Sequence, residues 1–177
     1  MIPSKFSKAA RRSIIAALAI LVAMPLFFAP AVGGPPDDDV NAVLLSAESL
    51  FKAMKQKHYP TIWKYLSADS KKSTIEAVYK SLRKSNVELE RERIIADFTA
   101  GGELAQAYWD AYLNAFDPDT VLQQSKWDMG LIKKDRASIH ILYRKSKEPA
   151  VLLLYREENG WKVGLEETFG ARRWLLP

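Results

Sequence analysis

The chain contains no cysteine. That single absence removes disulfides, thiolate nucleophiles and cysteine-based metal sites, and with them any lipid anchor carried on an N-terminal cysteine. Histidine is nearly as scarce, with only His58 and His140, and neither has an acidic residue at ligand spacing. A general-base histidine needs an orienting partner, so the pair reads as one loop and one strand-surface residue. No glycine-rich phosphate loop, nucleophile elbow or His-Glu-x-x-His pattern occurs, and no metal, cofactor or catalytic residue is expected. Positive charge is also scarcer than it looks. The net charge is +5, but Lys5, Lys8, Arg11 and Arg12 all precede the first acidic residue, Asp37. Without those four, 22 Lys and Arg face 21 Asp and Glu, and basicity gives no case for nucleic-acid binding.

What is present begins with residues 1–31, which have the layout of an export signal. A basic start precedes an uncharged apolar stretch, and Ala29 and Ala31 are small residues at the positions a signal peptidase reads. The competing reading is an uncleaved membrane anchor over residues 13–32, nearly long enough to span a bilayer. Either way the remainder is delivered outside the cytoplasm, to the periplasm or beyond, or held at the cytoplasmic membrane with the domain outside. Residues 32–37 form a short linker, and residues 38–177 are expected to form one domain.

That domain starts with helices. Asp37, Asp38 and Asp39 suit a first helical turn, and Val40, Val43, Leu44, Ala47, Leu50, Phe51 and Met54 follow at helical spacing. Pro60 predicts a stop near His58. A short turn carries Ile62, Trp63, Tyr65 and Leu66; then a helix over 67–85 has Ser73 to Glu76 in the pattern of a capping box. Residues 88–99 and 103–116 supply two more helical segments, separated by Gly101 and Gly102.

After Asp117 the period changes from helical to alternating, which predicts four strands over about 121–132, 137–145, 149–156 and 161–169. The last two form a hairpin. A three-residue loop of Glu158, Asn159 and Gly160 would set Tyr155 opposite Val163 and Leu153 opposite Leu165; a two-residue Asn159–Gly160 turn would set Arg156 opposite Val163. The first register is preferred, because it keeps apolar residues opposite one another. The third strand is apolar on both faces, as an interior strand would be. With Ile139, Ile141 and Leu153 taken as the covered face, Leu142, Leu152 and Leu154 become an outer apolar patch. The helices at 88–116 or a second copy of the chain would then cover that patch, giving a candidate homodimer face.

Helices first and an antiparallel meander afterwards make an α+β architecture, with N-terminal helices laid on a four-stranded sheet. Trp63, Tyr112, Trp127, Tyr143 and Tyr155 are the candidate lining of an aromatic pocket; ordinary packing between helix and sheet accounts for the same rings.

Residues 50–59 followed by Ile62, Trp63 and Leu66, together with the closing run Tyr155 to Val163, resemble the nuclear-transport-factor-2-like, or cystatin-like, superfamily. The resemblance implies an N-terminal helix across the concave face of a strongly curved sheet, and it leaves residues 88–116 unmatched. Some members are small enzymes with an Asp–His or Tyr–Asp pair in the pocket, for which Asp128, His140 and Tyr143 would be the counterparts. His140 and Tyr143 fall on opposite faces of one strand, however. The expected function is therefore a non-enzymatic, exported cell-envelope domain that binds a small apolar ligand or a protein partner. The alternative is a cofactor-independent isomerase or dehydratase.

Overall fold

Three acidic residues, Asp37, Asp38 and Asp39, open the first helix of the computed structural model, in which residues 37–169 are described. Residues 1–31, where an export signal or an anchor is expected, lie outside the described residues, as do the last eight. Helix α1 (Asp37–Lys55) ends in the turn Lys57–His58, where Lys57 takes a positive φ of 54°. Pro60 then sits in the first turn of α2 (Tyr59–Tyr65), where its missing N–H costs nothing. Helix α3 (Ala68–Lys84) is capped by Ser67, whose hydroxyl accepts from the Ser70 N–H at 3.0 Å. The expected capping box at Ser73 to Glu76 is interior to this helix. Ser67 caps the helix instead, upstream of Ser73, and its N–H is also tied to the sheet.

Helices α4 (Arg91–Ala100) and α5 (Glu103–Ala115) follow, separated by Gly101 at φ 72°. A methyl at Gly101 would lie 2.7 Å from the Pro60 ring, so glycine serves both the left-handed turn and the close approach to α2. Residues 118–123 form a short helix, α6 (Pro118–Gln123), where the alternation had suggested the start of a strand. The sequence carried the signal: Asp117 accepts from the Asp119 N–H at 2.9 Å and from the Thr120 hydroxyl at 3.2 Å, ahead of a proline in the first turn.

Four antiparallel strands complete the α+β fold: β1 (Ser125–Ile132), β2 (Arg136–Tyr143), β3 (Ala150–Glu157) and β4 (Gly160–Gly164), in sheet order β1-β2-β3-β4. A final short helix, α7 (Leu165–Phe169), replaces the expected continuation of β4. Strand β3 is interior, as its two apolar faces predicted. The far edge of β4 is covered by the α2–α3 junction, where the Ser67 N–H donates to the Val163 carbonyl at 2.9 Å.

The hairpin register differs from both alternatives read from the sequence. Glu157 pairs with Gly160 across a two-residue Glu158–Asn159 turn, with Gly160 at φ 95°, and Leu154 stands opposite Val163. The reason lies in β2, which pairs Ala137 with Leu154 and Ile139 with Leu152. Once Ala137, Ile139 and Ile141 face the helices, Leu152, Leu154 and Val163 must face them too. All three are fully buried in the core with Val43, Leu50 and Phe51 of α1. Leu152 and Leu154 are therefore internal, and the candidate homodimer face of Leu142, Leu152 and Leu154 does not exist as a surface. Only Leu142 lies on the outer side, half-buried. Helices α4 and α5 pack against α2 and each other.

Candidate functional site

The aromatic residues on the helices and β1 form a continuous file. Trp63 meets Phe98 at 5.0 Å between ring centroids, and Phe98 meets Tyr108 at 5.6 Å. Tyr108, Trp109 and Tyr112 follow at 5.1 and 5.5 Å, mostly edge to face. Tyr112 then reaches Phe116 at 5.5 Å, Phe116 reaches Phe51 at 6.0 Å, and Phe51 receives Trp127 edge-on at 5.9 Å. Helical spacing produces part of this file, since Tyr108 and Tyr112 lie four residues apart on one face of α5, and Phe116 follows at its C-terminal cap. Such pairs favour tilted and edge-on packing and interlock tightly.

Of the five candidate pocket aromatics, Trp63, Tyr112 and Trp127 belong to the file. Tyr143 lies at the end of β2 opposite Ser125. Tyr155 lies on the outer sheet face, where it closes over Gly164: a methyl there would be 2.6 Å from its ring. The five do not converge on one cavity. Those in the file are packed ring against ring.

The possible enzymatic counterparts are likewise apart. Asp128 and His140 are cross-strand neighbours, both exposed, on the outer face. Tyr143 falls on the inner side, since it shares the face of Ile139 and Ile141. His58 is exposed at the α1–α2 turn. Among the described residues no group of three His, Cys, Asp or Glu is placed to hold a metal ion, and no helix is long and apolar enough to cross a membrane.

At the Trp127 end the file meets the surface in an open groove of about 520 Å³, lined by Asn41, Leu44, Leu45, Glu48, Leu122, Ser125 and Trp127. Two hydrogen bonds fix its floor: the Trp127 indole N–H donates to the Val121 carbonyl at 2.9 Å, and the Ser125 hydroxyl to the Thr120 carbonyl at 2.7 Å. Helix α6, absent from the sequence reading, therefore helps to shape the groove. Leu45 stands at its rim, 61% exposed. Of these lining residues only Trp127 was a candidate from the sequence. The available signal was Leu45 itself, an apolar residue just off the buried stripe of α1. A smaller depression of about 290 Å³ lies elsewhere along α1, with Lys52, Gln56, His58 and Tyr65 among its lining.

Electrostatic perturbation is concentrated away from the groove. Burial raises the Tyr112 phenol well above the usual tyrosine range, and the neighbouring Tyr108 and Glu166 add to the shift. Tyr108 is raised by burial, with Thr74 opposing. Burial also raises the Glu166 carboxyl, helped by Glu167. Glu167 itself is held by the Ser67 hydroxyl at 2.5 Å and by the Ser70 hydroxyl, which latches α7 to the start of α3. Asp110 is lowered, first by Lys57 and then by the Tyr59 hydroxyl at 2.8 Å, fastening α5 to the α1–α2 turn. These groups tie helices together and lie outside the linings of both depressions.

No protein-family model, curated protein or solved structure matches the chain.

Proposed function

We propose that the chain is an exported binding domain of the cell envelope that holds a small apolar ligand in the groove between α1, α6 and β1 without transforming it. The observation that carries this reading is the groove itself. Its volume of about 520 Å³ falls within the ordinary range for small-molecule sites. Its apolar lining is Leu44, Leu45, Leu122 and Trp127, while Asn41, Glu48 and Ser125 could fix a polar end of the ligand. An exposed leucine beside an anchored tryptophan is the kind of concave apolar surface that gains from occupancy. The order of helices and strands, and the closing hairpin with Trp161, are in keeping with a nuclear-transport-factor-2-like, curved-sheet domain. The proposal of export rests on residues 1–31, with processing after Ala31 and delivery to the periplasm or the extracellular space. N-terminal sequencing of the exported protein checks it, and recovery of Met1 in the membrane fraction would mean an anchor instead.

The groove is tested with N-phenyl-1-naphthylamine, a neutral fluorescent probe of apolar sites. The wild-type protein should bind it, and Leu45→Glu should weaken binding about tenfold, because a carboxylate would have to be desolvated against the ligand. Leu45 is too exposed for the change to unfold the chain. Equal binding by both proteins would place the ligand elsewhere and overturn the reading. Native mass spectrometry of the exported protein would show a retained ligand and the subunit count together. A bound polypeptide in place of a small molecule would make the groove a protein-docking site.

A further inference from the structure

The two edges of the sheet are treated differently. Beyond β4 the α2–α3 junction takes up the Val163 carbonyl, whereas beyond β1 no strand or bridge is placed among the described residues. Which backbone groups of β1 are left over follows from its pairing with β2. The Gln124 carbonyl accepts from the Arg144 N–H at 3.1 Å. The even-numbered residues of this stretch therefore turn their N–H and C=O groups toward β2, Lys126 to Leu142 and Asp128 to His140. Ser125, Trp127 and Met129 turn theirs outward, and such a row is a template for one further strand.

Proteins commonly blunt a bare edge with a bulge, a proline or like charges. In β1 the irregularity falls between Met129 and Ile132, so Ser125 to Met129 stays regular. That stretch contains no proline, and its two exposed residues, Lys126 and Asp128, are of opposite sign and share the outer face. Neither joins an ion pair among the described residues. A strand that matches them antiparallel must carry a basic residue and then an acidic one, two positions apart. Strand β1 has that pattern itself.

We propose that β1 pairs antiparallel with β1 of a second copy, about a two-fold axis at Trp127, joining the two sheets into one. Trp127 then stands opposite the partner's Trp127, and Ser125 opposite the partner's Met129, so every outward-turned residue meets another. Lys126 falls opposite the partner's Asp128, and Asp128 opposite the partner's Lys126. These are the non-hydrogen-bonded positions, where Cα atoms come within about 4.5 Å and side chains are closest. An axis at Ser125 would instead set Lys126 opposite Gln124 and Trp127 opposite Gln123 of α6. An axis at Met129 would set Trp127 opposite Leu131, inside the irregular part. Only the Trp127 register pairs both charges. The contact is isologous and closes after two copies, since the β4 edges are already covered. The two grooves would then flank the axis, and the pairing does not depend on what they hold.

Sedimentation velocity of the exported full chain at about 50 µM should show a dimer. Lys126→Asp and Asp128→Lys each set like charges opposite one another on both sides of the axis, and each should weaken association about tenfold or more. Both positions are exposed, so the fold should survive. Combining Lys126→Asp with Asp128→Lys in one chain restores complementarity and should restore the dimer. Mixing the two single variants should give a heterodimer, because each then carries the sign the other lacks. A monomeric wild-type protein would overturn the proposal. A dimer indifferent to the single reversals would place the interface elsewhere, and a double variant as weak as the singles would mean that the two charges are not opposed; either result overturns it too.

Discussion

The face assignment of β3 can be tested with three alanine substitutions. Leu154 is fully buried between Ala137 of β2 and Val163 of β4, under α1. Leu154→Ala removes its burial and leaves a cavity in a close-packed interior, a loss of about 2–5 kcal/mol, centred near 3. Leu153, one residue away, is half-buried on the outer face. Truncating it leaves space that solvent can reach, so no internal cavity forms, and half a leucine's transfer free energy is about 1 kcal/mol. His140 is exposed on the outer face opposite Asp128, and His140→Ala should change stability by less than about 0.5 kcal/mol. Chemical denaturation at constant m-value gives all three figures. Thermal melting should show a drop of roughly 6–12 °C for Leu154→Ala and much less for the others. If Leu153→Ala proves the most damaging, the strand is turned over and the Leu154–Val163 register is wrong. If His140→Ala matches Leu154→Ala, the histidine is internal and the enzymatic reading regains weight.

Other substitutions probe the latches and the buried ionisable groups. Glu167→Gln keeps the shape but loses two charge-assisted bonds from Ser67 and Ser70, and should cost about 1–2 kcal/mol by denaturant titration; no change would mean that α7 is held by packing alone. Glu166 has a raised pKa in the folded protein, so the folded state binds its proton more tightly than the unfolded state does. Its contribution is therefore fully present below the ordinary glutamate range and is lost as pH rises through the folded value. Glu166→Gln should accordingly stabilise the protein at neutral pH, with the gain vanishing in acid, and an equal gain at both would refute the burial argument. Tyr108 and Tyr112 are raised by burial as well, so ultraviolet titration should find two phenols that resist ionisation until alkali unfolds the chain, stability falling as pH climbs through the usual tyrosine range. Gly101→Ala combines a positive φ of 72° with a 2.7 Å approach to Pro60 and should destabilise by about 1–3 kcal/mol; neutrality would mean that the α4–α5 turn relaxes freely.

Sequence alone determined the features that depend on near neighbours. The apolar stripe of α1, its stop before Pro60, the helix break at Gly101 and the switch from helical to alternating period all follow from residues a few positions apart, where steric preference and side-chain periodicity act directly. The alternation of β2 was likewise legible, and with it the outward placement of His140. The structure decided whatever required comparison of distant segments. Leu152 and Leu153 are equally apolar, so only pairing with Ala137 and Ile139 could settle which face of β3 is buried. That choice turned a supposed dimer surface into core. The local signal of Asp117 and Pro118 for α6 competed with an alternating pattern and was outweighed until α6 packed against α1. The groove is the clearest case. Leu45 and Leu122 are far apart in the chain and unremarkable singly, and they meet only because α1, α6 and β1 converge at Trp127. Burial is a property of the assembled surface, and no window of neighbouring residues contains it.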